Sequence, residues 1–304
     1  MILRSTLLYL SRQKQLRRWM ETSPVAGRFT KRFIAGQTLE QGIAVCRKLN
    51  AECILTTIDH LGENVTSAAE AEASRDACLE ALERIATENL PSTVSIKPTQ
   101  FGMDLSDEIC QANVEPLVAA ASRVGSCVEI DMEASGYVDR TLRLVRAMHS
   151  RHGSVRGVIQ AYLRRSEADI EALCGDGIPV RLCKGAYDEP ATLAFPSKRD
   201  VDRNYLRLAR ILLQRGVYPA FATHDPKMVN PTLDAALELG VQAGQFEFQM
   251  LYGIRRDVQN MLTWGGYRLR LYVPYGVAWY PYFMRRLAER PANLLFLARN
   301  LFRH

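Results

Sequence analysis

From residue 53 onward the chain repeats one alternation of apolar and polar positions. A short run rich in β-branched and aliphatic residues ends in polar residues, and a stretch with apolar positions three and four apart follows. The runs fall at residues 53–58, 93–96, 127–130, 155–159, 180–183, 219–222, 245–248 and 269–273. Helical patterns follow at 67–88, 106–123, 138–150, 167–173, 202–215, from Pro226, and at 254–262. An eighth, at 282–289, closes the series. The runs are short and apolar, as buried parallel strands are. Eight strand–helix units in uninterrupted series predict a (β/α)8 barrel of the TIM type. An open doubly wound sheet is the alternative. The absence of a GxGxxG after the first run argues against its dinucleotide-binding form. Residues 1–35 read as one or two basic amphipathic helices and 37–50 as another. The expected division is therefore one domain, 1–304, with N-terminal helices to residue 50 and the barrel over 51–304.

The last helix carries an unusual face. Tyr282, Arg285, Arg286 and Glu289 stand at i, i+3, i+4 and i+7. Pro281 suits the first turn and Pro291 ends the helix. Two adjacent guanidinium groups repel each other unless an anion bridges them, and a planar carboxylate or a phosphate matches their fork. A solvated face with a local Arg–Glu pair is the plain alternative.

Composition sets bounds. A hydrophobic content of 47% and a charged content of 24% are those of an ordinary globular protein. The net charge of +6 suits a peripheral interaction with anionic lipid, or simple solubility. It is too dispersed for a nucleic-acid partner, and no zinc-finger spacing or single basic block is present. The seven cysteines include no CxxC pair, which points to a reducing, cytoplasmic compartment and no metal site. Residues 1–10 are apolar but interrupted by Arg4, with the basic stretch following, which is the wrong order for a signal peptide.

In a (β/α)8 barrel the active site forms where the strands end. Lys97, Asp131, Gln160, Arg181 with Lys184, His224, Gln249 and Tyr272 stand at those ends, so they converge on one mouth. Lys97 and Asp131 read as an ion pair across neighbouring strands, as a charged floor for an ionic substrate, or, for Lys97, as a Schiff-base nucleophile. Arg181 binds a neighbouring carboxylate or donates to a ring nitrogen of a cofactor. Lys184-Gly185-Ala186 sets bare backbone beside a cation and suits a phosphate or a flat ring. Asp225 before Pro226 reads as a helix N-cap. Lys198 and Arg199 read as solvated, yet stand where they could reach the phosphates of a large cofactor.

Four spaced motifs carry a resemblance: Val180-Arg181-Leu182-Cys183-Lys184-Gly185-Ala186-Tyr187; Phe221-Ala222-Thr223-His224-Asp225; Phe246-Glu247-Phe248-Gln249-Met250-Leu251-Tyr252-Gly253; and Tyr282-x-x-Arg285-Arg286-x-x-Glu289-x-x-x-Asn293. Together with Ile96-Lys97 and Glu129-Ile130-Asp131-Met132-Glu133, over about residues 33–302, the chain resembles the short, monofunctional bacterial proline dehydrogenases. The resemblance implies a distorted barrel with non-covalent FAD at its strand ends. It further implies oxidation of L-proline to Δ1-pyrroline-5-carboxylate, with electrons passed to a membrane quinone. Carried over by motif, Arg285 and Arg286 would grip the proline carboxylate, Lys97 would support that charge, and Glu289 would set the arginines. Asp131 would orient the pocket, Tyr272 and Tyr282 would wall the ring, and Leu251 would give an apolar contact. Arg181 would lie by flavin N5. Met132, Gln160, Lys184, Gly185, Ala186, Thr223, His224 and Gln249 would hold FAD. Cys183 departs from the family pattern, standing where an aliphatic residue is usual. Two other readings compete: a Schiff-base aldolase using Lys97 or Lys184, and a non-catalytic membrane-associated binding module built on the basic N-terminal helices and the apolar run 294–301.

Overall fold

A computed structural model describes residues 13, 33–62, 65–280 and 282. The expected helices of residues 1–32 and the arginine-bearing turns beyond Tyr282 lie outside the described residues, so Arg285, Arg286 and Glu289 are not placed.

Within the described part a helix α1 (Leu39–Ala51) leads into β1 (Leu55–His60). The series continues with α2 (Ala68–Thr87), β2 (Ser92–Ile96), α3 (Asp107–Arg123), β3 (Val128–Ile130), α4 (Val138–His152) and β4 (Val155–Gln160). It closes with α5 (Ser166–Gly175), β5 (Val180–Cys183), α6 (Lys198–Arg215), β6 (Ala220–Ala222), α7 (Pro226–Glu238), β7 (Glu247–Leu251), α8 (Arg256–Trp264) and β8 (Leu269–Tyr275). The eight strands are parallel and follow one another around a closed barrel, with β8 returning to β1. The (β/α)8 expectation is therefore met.

The local signals that start the helices are side-chain caps. Ser67, Ser106 and Ser197 each accept a hydrogen bond from a backbone N–H of the first helical turn, and Thr38 with Gln41 forms a complete capping box. Asp225 caps α7, accepting from Lys227 N at 3.1 Å, with Pro226 in the first turn. The Ser197 cap starts α6 four residues before the predicted helix, which brings Lys198 and Arg199 onto its first turn.

Successive strand side chains point to opposite faces of the barrel wall. One face is apolar: Ile58, Val94, Ile130, Leu182, Phe221, Phe248 and Leu271 are buried under the helices. Phe221, Phe246 and Phe248 pack with ring centroids 5.8–5.9 Å apart. Burial of each such side chain contributes roughly 1.5–3 kcal/mol, which holds the helical shell to the barrel. The other face is polar, and here the structure departs from the uniformly apolar strands expected. Thr57, Asp59, Thr93, Ser95, Glu129, Arg156, Arg181, Glu247, Gln249 and Arg270 are all buried, and their mutual hydrogen bonds fill the barrel interior. A polar interior is tolerated because nearly every group in it is paired.

Candidate active site

The polar interior is layered. In its lower part Arg156 Nη1 lies 2.8 Å from Glu247 Oε1 and 3.2 Å from Glu129 Oε1. Arg270 Nε is also 2.8 Å from Glu247 Oε1. Gln249 Nε2 donates to Glu129 Oε2 at 3.0 Å and to Glu247 Oε1 at 2.8 Å, while its Oε1 accepts from Arg181 Nη1 at 3.3 Å. Thr93 Oγ1 donates to Glu129 Oε1 at 2.9 Å. Burial disfavours the charged form of both glutamates, but the surrounding guanidinium groups outweigh it and hold both below the usual carboxylate range.

This lattice supports the upper layer at the mouth. Arg181, the second residue of β5, pairs with Asp131 just past β3 and with Glu129 at 3.1 Å. Asp131 Oδ1 also accepts from Ser95 Oγ at 3.0 Å. Asp131 Oδ2 accepts from Tyr272 OH at 3.1 Å and lies 3.4 Å from Lys97 Nζ. Lys97 Nζ donates to Tyr272 OH at 3.3 Å and to Asp59 Oδ1 at 3.1 Å. Lys97, Asp131, Arg181 and Tyr272 thus form one connected cluster; Lys97 and Asp131 stand just past their strands as expected, whereas Arg181 is the second residue of β5 and Tyr272 the fourth of β8, reaching the cluster from within the wall. Burial raises the Asp131 pKa, but Arg181 and Lys97 reverse this and hold it below its ordinary value. Burial opposes the Lys97 ammonium, and Asp59, Tyr272 and Asp131 overcome it, so Lys97 stays charged well above the usual range. A lysine held this way is a poor Schiff-base nucleophile, which requires the free amine. Burial, then Asp131, raises the Tyr272 phenol, so it remains a protonated donor.

A second cluster lies at the ends of β5 and β6. Lys184 Nζ pairs with Asp202 at 2.5 Å and with Asp225 at 3.1 Å. Lys198 Nζ reaches Asp202 at 2.6 Å from the first turn of α6 and is 73% exposed. Gly185 between them has φ +100°, and a Cβ there would fall 2.1 Å from the Tyr162 ring. Only glycine fits that turn. Ala186 beside it is exposed.

The remaining predicted residues divide between these clusters. His224 Nε2 accepts from Leu251 N at 2.7 Å, tying the end of β6 to that of β7. Thr223 Oγ1 accepts from Asp225 N at 3.1 Å. Gln160, buried, donates to the Met132 carbonyl at 3.3 Å and the Glu133 carbonyl at 2.8 Å, which fixes the turn carrying Asp131. Tyr282 is 6% exposed. Cys183 is half-buried, and none of the seven cysteines, all among the described residues, is in a disulfide. Sequence reasoning missed Asp59, Arg156 and Arg270, and treated Glu129 and Glu247 only as parts of motifs. Their signal is the period-two spacing Thr57/Asp59, Thr93/Ser95/Lys97, Glu129/Asp131, Glu247/Gln249 and Arg270/Tyr272, which puts each set on one face of its strand.

The geometry can be set beside known proteins. The proline dehydrogenase family profile matches residues 43–299. Proline dehydrogenase 1 of Bacillus subtilis (strain 168) is 39% identical over 302 residues, covering 99% of this chain and 100% of that protein. Proline dehydrogenase of Deinococcus radiodurans is 37% identical over 278 residues, covering 90% of each. Among solved structures, proline utilization A of Bdellovibrio bacteriovorus superimposes with a TM-score of 0.81 at 27% identity. That match covers 87% of this chain, which spans about a third (33%) of the longer protein.

Proposed function

Because the chain belongs to the proline dehydrogenase family, and is an oxidoreductase acting on proline, we propose that it oxidises L-proline to Δ1-pyrroline-5-carboxylate over a bound FAD and passes the electrons to a membrane quinone. The observation that carries the reading is the cluster at the barrel mouth, in which Lys97, Asp131 and Arg181 are held charged around the neutral Tyr272 hydroxyl.

The second cluster fits the cofactor. Gly185 presents backbone with no side chain at φ +100°, which lets a flat ring or a phosphate approach closely. Lys184 and Lys198 supply two ammonium groups beside it for the pyrophosphate. Ala186, Thr223 and His224 stand at the same strand ends, with Met132 and Gln160 on the β3 and β4 side and Gln249 on β7, paired in register with Ala222 of β6. When bound, FAD supplies the two-electron acceptor that takes the hydride from proline C5.

The chain's own residues then do three things. Arg285 and Arg286, with Glu289 setting their orientation, grip the substrate carboxylate; all three lie outside the described residues. Lys97 adds positive charge on the same side, while Tyr272, Tyr282 and Leu251 bound the ring so that C5–H faces the acceptor. Arg181, anchored by Asp131 and Glu129, would hold a guanidinium beside the acceptor ring and favour its negatively charged form. The amine proton passes to solvent.

Among the described residues no helix is long and apolar enough to cross a membrane. The basic excess of the chain suits peripheral contact from the cytoplasmic side, where the quinone is met. The test is product formation. Purified protein given L-proline and a soluble quinone should yield a pyrroline trapped as its coloured aminobenzaldehyde adduct; protein that reduces the quinone without yielding the adduct refutes the assignment of product.

A further inference from the structure

One buried acid in the barrel is not used by the reaction as drawn above. Asp59, the fifth residue of β1, has no exposed surface, and it faces the mouth opposite Ser95 of β2 and Pro274 of β8 in strand register. Its Oδ1 accepts from Lys97 Nζ at 3.1 Å, and its Oδ2 is buried with no hydrogen-bond partner. A buried carboxylate with a bare oxygen is costly. Such a group survives at a site when its charge holds something else in place.

The charges around it show what that is. In the described interior, four acids (Asp59, Glu129, Asp131, Glu247) face four bases (Lys97, Arg156, Arg181, Arg270). Asp131 is already engaged by Arg181, Ser95 and Tyr272. Its distance to Lys97, 3.4 Å, is longer than that from Asp59, at 3.1 Å. Asp59 is therefore the nearest dedicated counter-charge of Lys97. Without it the lysine would compete with Arg181 for a single carboxylate.

We propose that Asp59 is a positioning residue of the proline site: it clamps the Lys97 ammonium from β1, and through Lys97 it holds the Tyr272 hydroxyl and Asp131 in the arrangement that receives the substrate. The role rests on the proposed proline reading. The other groups facing this pair are Asp131 and Glu133 after β3, Arg181 of β5, Tyr272 and Tyr275 of β8, His60 beside Asp59, and Cys78 of α2. None of them replaces a carboxylate at Asp59.

The test is Asp59→Asn, which keeps shape and removes charge, read in two ways. In the flavin-loaded enzyme KM for proline should rise about tenfold or more while kcat changes less, because the binding arrangement rather than the acceptor is disturbed. Independently of turnover, the pH at which acetic anhydride acetylates Lys97, followed by peptide mapping, should fall by at least about one unit. A folded Asp59→Asn protein with wild-type KM, or with an unchanged Lys97 profile, overturns the proposal. If neither wild type nor variant oxidises proline, the functional reading fails, and the Lys97 profile alone decides the role of Asp59. If Asp59→Asn does not fold, the substitution is placed on Lys97→Met. There, removing a stranded buried charge should raise Tm above that of Lys97→Met alone, and a lower Tm overturns the clamp.

Discussion

Replacing Gly185 with alanine is a direct test of the turn at the end of β5. The residue sits at φ +100°, and its added Cβ would fall 2.1 Å from Tyr162 Cδ1, 2.5 Å from Cε1 and 2.7 Å from Cγ. Two costs combine. Holding a side chain in left-handed backbone costs roughly 1–2 kcal/mol. The ring of Tyr162, 7% exposed, cannot yield freely, and forcing it aside costs roughly 1–3 kcal/mol. The total is about 2–5 kcal/mol, and at roughly 2 °C per kcal/mol for a chain of this size Tm should drop by about 4–10 °C. The turn also pins Lys184, whose carbonyl accepts from Tyr162 N at 2.9 Å. Its displacement should weaken FAD binding, measured by quenching of flavin fluorescence on titration with apoprotein. Calorimetry and the titration separate the two effects. An alanine variant with unchanged Tm and unchanged flavin affinity would refute both the packing and the cofactor placement.

Other outcomes follow from the buried charges. Arg156→Met leaves Glu129 and Glu247 short of a guanidinium and should destabilise by roughly 3–5 kcal/mol, seen as a lower urea midpoint; an unchanged midpoint would show that the lattice carries no stability. Glu129, Asp131 and Glu247 have folded pKa values below their unfolded ones, so their stabilisation is complete above about pH 5 and is lost as pH falls through the depressed values. Urea midpoints should therefore decline from about pH 5 towards pH 2; a flat profile would contradict the pairing. Arg286→Met should raise KM for proline by about 3 kcal/mol, roughly 150-fold, with a smaller change in kcat; an unchanged KM removes the carboxylate grip.

The barrel was legible because each strand–helix unit carries its own local signals. Ser67, Ser106 and Asp225 mark helix starts that the structure repeats to within a residue. The strand ends were legible because the fold has one catalytic face, so Lys97, Asp131, Arg181 and Tyr272 could be brought together before any distance was known. The polar interior was not read in advance. Barrel strands are expected to be apolar on both faces, and Glu129 and Arg270 are single polar residues inside apolar runs. What makes such residues tolerable, a partner three or four strands away in sequence, is invisible until the barrel closes: Gln249 meets Glu129 and Arg156 meets Glu247 only through the sheet. The start of α6 was read late for a simpler reason, since the Ser197 cap extends the helix by a turn and sets Lys198 beside Asp202 while leaving it largely exposed, as its solvated reading has it.

The most direct measurement is the visible absorption spectrum of the purified protein before and after anaerobic addition of L-proline. A flavin spectrum that bleaches with proline is the predicted result and reports cofactor, substrate and direction of electron flow together. A flavin spectrum untouched by proline, or a protein that stays colourless after FAD is supplied, would contradict the proposal.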